Sequence, residues 1–217
     1  MTVHLQVELD KLKKRILALG AMVEEQLYNA VKALKDRDGG LARAVVESDR
    51  EIDAWEVEVE EECLKILALH QPVAADLRFI IAVIKINNDL ERIGDEAVNI
   101  AEAVTYLAGR PAVSHPFDFE RMARETQGML KKSLDALVNL DLDLAYQVGI
   151  LDDEVDHLYK EIHDGVKRLI PDLPQRVGSL IKLLLISRHL ERVADHATNI
   201  AEEVIYMIEG LIPRHAR

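Results

Sequence analysis

A single cysteine, Cys63, in 217 residues excludes an intrachain disulfide framework. Basic residues are in the minority: 27 Lys and Arg stand against 39 Asp and Glu, a formal net charge of −12. A surface of that sign repels phosphate backbones and anionic headgroups, which excludes nucleic acid and a bare membrane as main partners. No apolar run approaches the roughly 20 residues that span a bilayer, and the two best candidates are interrupted by Lys85 and Lys182. The amino-terminal residues carry acids early and lack a basic stretch followed by an apolar segment, so they do not read as a secretory signal. These absences point to a soluble, cytoplasmic protein. No Ser/His/Asp order, glycine-rich phosphate loop or Cys/His cluster stands out, which argues against catalysis. Period-2 alternation is also missing, and with it any sign of strands.

What is present is helical. Apolar residues make up 49% and charged residues 30%, with only 4% aromatic. Apolar positions at Leu12, Ile16, Leu19, Val23, Leu27, Val31 and Leu34 follow a helical period, broken only by Gly20. The same pattern predicts helices over about 5–36, 41–69, 74–107, 117–140, 144–170 and 175–212. Cys63 and Trp55 belong to the inner side of the second, Cys63 as a small buried residue and Trp55 as a core anchor. The segment 111–116, with two Pro, Ser and His, reads as a linker. The expected organisation is all-α: two antiparallel three-helix bundles over residues 1–110 and 117–217, joined by 111–116.

The halves are copies. Leu90-Glu91-Arg92-Ile93-Gly94-Asp95-Glu96-Ala97-Val98-Asn99-Ile100-Ala101-Glu102 recurs, offset by 100, as Leu190-Glu191-Arg192-Val193-Ala194-Asp195-His196-Ala197-Thr198-Asn199-Ile200-Ala201-Glu202. Around Asp49 and Asp152 the second helices match at an offset of 103. On a helix Glu91, Asp95, Asn99 and Glu102 fall within roughly 80° of one another. Glu191, Asp195, Asn199 and Glu202 do the same, each stripe opposite an apolar one. Distances from the turns near Gln71 and Asp172 place Asp49 level with the midpoint of Glu91 and Asp95, and Asp152 level with that of Glu191 and Asp195. Asp49, Asp53, Glu91 and Asp95 therefore converge on one seam, and Asp152, Asp156, Glu191 and Asp195 on another.

Like charges four residues apart destabilise a helix by roughly 0.2–0.5 kcal/mol per pair. Arg92 and Arg192 flank the stripes but do not neutralise four acids each. A multivalent cation would, and oxygen ligands suit Mg²⁺, Ca²⁺, Mn²⁺ or ferrous iron, while zinc accepts carboxylates. Asn99 and Asn199 extend each stripe by a turn and offer a carbonyl ligand. The competing expectation is a plain acidic solvent face. His189 and His196 lie on a flank about 100° from the stripe and read as packing or exposed residues.

The doubled Asp/Glu-x-x-x-Asp pattern, set in Leu-Glu-Arg-x-x-Asp-x-Ala-x-Asn-Ile-Ala-Glu, resembles the PhoU family of phosphate-uptake regulators. So does Gln71-Pro72-Val73-Ala74-Ala75-Asp76-Leu77-Arg78. The resemblance covers essentially the whole chain. It implies two pseudo-symmetric three-helix bundles and multinuclear iron or zinc clusters held by Asp49/Asp53, Glu91/Asp95, Asp152/Asp156 and Glu191/Asp195. It also implies an adaptor, often dimeric, that restrains the phosphate ABC transporter through its ATPase subunit and holds the sensor histidine kinase of the phosphate regulon in its repressing state. Membrane contact would be peripheral, through those partners. The second half departs from the pattern, since Pro174-Gln175-Arg176-Val177-Gly178 lacks the Asp-Leu-Arg. The alternative is a carboxylate-bridged di-metal enzyme of ferritin-like type, which uses Glu-x-x-His pairs projecting into a four-helix core.

Overall fold

The computed structural model describes residues 3–115 and 117–211. Six long helices account for nearly all of them: α1 (Val3–Asp36), α2 (Gly39–His70), α3 (Ala74–Ala108), α4 (Phe119–Asn139), α5 (Leu142–Leu169) and α6 (Val177–Glu209). A 3₁₀ turn, Pro174–Arg176, precedes α6. Among the described residues there is no strand, and no helix is long and apolar enough to cross a membrane.

The turns are built alike in both halves. Arg37 and Leu140 close α1 and α4 in the left-handed region, at φ 52° each. The next residue starts the following helix: Asp38 Oδ1 accepts from the N–H groups of Gly40 (2.8 Å) and Leu41 (3.0 Å), and Asp141 Oδ1 from that of Leu144 (3.1 Å). Those backbone donors, Leu41 first, hold the Asp38 carboxyl below its ordinary range. The aspartate thus starts α2 at Gly39, two residues ahead of the start expected from the apolar pattern.

The two bundles, α1–α2–α3 and α4–α5–α6, meet along α3 and α6, with a second contact between α1 and α4. The α3 and α6 helices run antiparallel, because Glu96 meets His189, Asp89 meets His196 and Lys85 meets Glu203. The apolar stripes opposite the acids are buried, Leu90, Ile93, Ala97, Ile100 and Val104 in α3 and Leu190, Val193, Ala197, Ile200 and Val204 in α6. They join one core that continues through both halves. Gly20, the sole interruption of the first helical pattern, sits where α1 crosses α4. A Cβ there would lie 2.8 Å from Leu134 Cδ2, so its absence lets the helices close. Cys63 is buried as expected, and burial pushes its thiol up to about 12. Trp55 is only partly buried, packed against the core's edge, while Ile52, Val59, Cys63 and Ile66 hold the inner line of α2.

Candidate metal centre

The first seam runs between α2 and α3. Asp49 and Asp53, one turn apart on α2, face Glu91 and Asp95, one turn apart on α3. Burial raises the Asp49 carboxyl, a hydrogen bond from Gln26 opposes that, and the charges of Asp53 and Asp95 raise it further. Burial also raises Glu91, with Asp95 next, Arg92 opposing, and Glu56 and Asp53 adding to the rise. Arg92 partly screens the pair: its Nε lies 3.4 Å from Glu91 Oε2 and its Nη1 3.3 Å from Asp95 Oδ2. The close approach of α2 to α3 depends on Gly94, where a Cβ would stand 3.2 Å from Gln26 Oε1 and 3.4 Å from Ile52 Cγ2.

The second seam, between α5 and α6, repeats the arrangement. Burial raises Glu191, followed by Asp195 and Asp156, with Arg188 opposing and Asp152 adding. Asp195 is raised by burial and Asp156, against His196 and Arg192. Thr198 Oγ1 donates to Asp152 Oδ1 at 3.4 Å. The eight Asp and Glu residues expected to converge thus lie on the two seams, four to each. The two amides behave differently. Asn199 Nδ2 donates to Asp89 Oδ1 at 3.1 Å, and Asn99 hydrogen-bonds Glu96, so both serve contacts beside the seams.

Among the described residues, no three Asp, Glu, His or Cys side chains already converge on one point as ligands would. The donor chemistry nevertheless fits a hard cation. Each seam offers carboxylate oxygens that burial and mutual repulsion make reluctant to ionise. At the first, Gln26 Oε1 is buried without a hydrogen-bond partner, and Glu91 Oε2 is buried with only the ion pair to Arg92 at 3.4 Å. Orphaned acceptors of this kind cost free energy unless something positive reaches them.

One feature of the α3–α6 contact escaped the sequence reading. Glu96, 2% exposed, pairs with His189 Nδ1 and, at 3.0 Å, with Arg192 Nη1. Burial alone would raise its carboxyl, but the His189 hydrogen bond and the His189 and Arg192 charges outweigh that and lower it. Asp89 Oδ1 meets His196 Nδ1 at 2.8 Å. The pairs are exchanged by the pseudo-twofold axis, which turns acids at 89 and 96 into histidines at 189 and 196. The signal was present in the alignment of the copies, where two acids seven residues apart are replaced by two histidines.

The family model described as PhoU domain matches residues 16–104 and 119–204, one copy in each half. The chain belongs to the PhoU family. It is 37% identical over 204 residues to the "phosphate-specific transport system accessory protein PhoU homolog" of Clostridium acetobutylicum, covering 94% of this chain and 93% of that one. The protein of the same name from Pseudomonas aeruginosa is 39% identical, over 96% of this chain and 86% of its own. The crystal structure of PhoU from Pseudomonas aeruginosa superposes with a TM-score of 0.91 at 38% identity, covering 95% of this chain and 99% of that one. The PhoU regulatory protein of the phosphate transport system from Streptococcus pneumoniae superposes at 0.84 with 29% identity, covering 96% and 98%. These relatives are named as accessory or regulatory proteins.

Proposed function

We propose that this chain is a regulatory accessory protein of phosphate-specific transport, acting through protein contacts and without catalysis. The observation that carries the reading is the full-length match to PhoU relatives named for that system. The finer reading is a cytoplasmic, homodimeric adaptor that negatively regulates the phosphate ABC transporter, through its ATPase subunit, and the phosphate-regulon sensor histidine kinase. Its two seams hold divalent or trivalent cations, multinuclear iron or zinc foremost, with Mn²⁺, Mg²⁺ or Ca²⁺ as other occupants. Asp49, Asp53, Glu91 and Asp95 would hold one set and Asp152, Asp156, Glu191 and Asp195 the other. A bound cation supplies positive charge between paired helices, cross-linking α2 to α3 and α5 to α6. The ferritin-like enzyme draws no support, because the acids flank the bundles and the stripes behind them are apolar.

The docking surface is supported on one half. The α2–α3 turn exposes Leu69 (69%), Val73 (74%) and Leu77 (38%). Its counterpart before α6 packs Leu173 against the core instead. Tagged wild-type protein is expected to capture the transporter ATPase and the kinase from the same organism, each produced in pure form. Leu69→Glu with Leu77→Glu should cut capture of the ATPase by about tenfold. Wild-type protein that captures neither would sink the reading.

A further inference from the structure

We propose that the two seams are unequal cation sites, the first made stronger by Gln26, which orients Asp49 and lends its own carbonyl oxygen. This rests on the cation-binding reading above. Gln26 comes from α1, is 4% exposed, and brings a third helix to the first seam. Its Nε2 donates to Asp49 Oδ1 at 2.9 Å, which fixes that carboxylate. Its Oε1 is buried without a partner, over Gly94, where a Cβ would come within 3.2 Å of it. An amide turned about its last torsion exchanges these atoms and presents the carbonyl to an ion held by Asp49.

At the second seam another residue takes the place of Gln26, and Asp152 accepts from Thr198 Oγ1 at 3.4 Å. The offset of 103 that relates the capping residues Asp38 and Asp141, and Asp49 and Asp152, carries Gln26 onto Met129. The register is secure in α1 and α4, because Leu27 and Leu130, Ala30 and Ser133, and Ala33 and Ala136 are buried on both sides of it. Met129 is fully buried, and Ala194 stands where Gly94 does. Glu56, whose negative charge helps raise the Glu91 carboxyl, corresponds to Tyr159. The first site thus combines five acids with a preplaced amide, and the second has four acids and the Thr198 hydroxyl beside a thioether and a methyl group. Hard cations prefer oxygen donors, so they load the first site ahead of the second.

The test is titration of the chelator-stripped full chain with Mn²⁺ alone, free ion being counted by electron paramagnetic resonance. Wild type is expected to give two affinities at least tenfold apart. The tighter one should vanish in Asp53→Asn with Asp95→Asn, and the weaker in Asp156→Asn with Asp195→Asn. Gln26→Met should weaken the tight site at least fivefold and leave the other unchanged. Met129→Gln with Ala194→Gly should strengthen the weak site, a gain that misfolding cannot imitate and that decides the matter if Gln26→Met fails to fold. Equal wild-type affinities, or no change in either exchange, would overturn the inequality and leave cation binding standing. No Mn²⁺ at either seam would overturn both.

Discussion

Chains carrying Asp53→Asn, Asp95→Asn, Asp156→Asn and Asp195→Asn together are expected to melt higher than wild type at pH 7 when both are stripped of cation. Each replaced residue belongs to one like-charged pair four residues apart. Four such pairs relieved at roughly 0.2–0.5 kcal/mol each give about 1–2 kcal/mol, or about 2–8 °C in Tm for a chain of this size. Repulsion across the seams adds to that. The pH dependence follows from Asp49, Glu91, Glu191 and Asp195, all raised in the folded state. A group raised on folding binds its proton more tightly folded than unfolded. It therefore favours the folded state below its unfolded value and loses that effect as pH rises through the folded one. Cation-free wild type should gain stability as pH falls from 7 towards about 4, the ordinary carboxylate range, and the gap to the variant should narrow. Glu96, lowered on folding, works the other way, and its contribution is lost only as pH falls through its lowered value. Thermal melts by circular dichroism at pH 7 and 5 read both effects. A variant less stable than wild type at pH 7, with helicity lost, would make these acids structural.

The second large effect is expected at the contact between the halves. His189→Ala leaves the buried Glu96 carboxylate with Arg192, whose side chain is 46% exposed, and the Asn99 amide. Removing one partner of a buried carboxylate costs about 3 kcal/mol, at the low end of the usual range because Arg192 remains. That corresponds to a fall in Tm of about 6–12 °C. His196→Ala, its pseudo-symmetric mate, should cost about 1 kcal/mol. Asp89 is less buried, its side chain 13% exposed, and it keeps the Asn199 amide at 3.1 Å. Urea unfolding of the two variants side by side distinguishes them, and equal losses would show that burial of Glu96 does not set the difference.

Much of this architecture was legible because the helices are long and their apolar period is regular. The boundaries of α2, α3 and α5 fall within about two residues of the sequence reading, as pattern-based assignment allows. The seams were legible because antiparallel geometry converts distance from a turn into height along a bundle, and both halves give the same level for Asp49 and Asp152. What was not legible depends on a third helix or on the other half. Gln26 looks like an ordinary polar residue of an amphipathic helix until α1 is laid against α2 and α3. Glu96 and Asp89 look like surface acids until α6 brings His189 and His196 to them. Asn99 and Asn199 lie on the acid stripe by spacing, yet neighbouring acids at the α3–α6 contact take their hydrogen bonds. A helix's own periodicity says which face a residue occupies and not what the next helix carries.

The central claim, that each seam grips cations, is tested most directly by anomalous diffraction at the manganese edge from crystals grown with Mn²⁺. Peaks are expected in both seams, one set between Asp49, Asp53, Glu91 and Asp95 and the other between Asp152, Asp156, Glu191 and Asp195. Saturated crystals with no anomalous peak in contact with any of these eight carboxylates would contradict it.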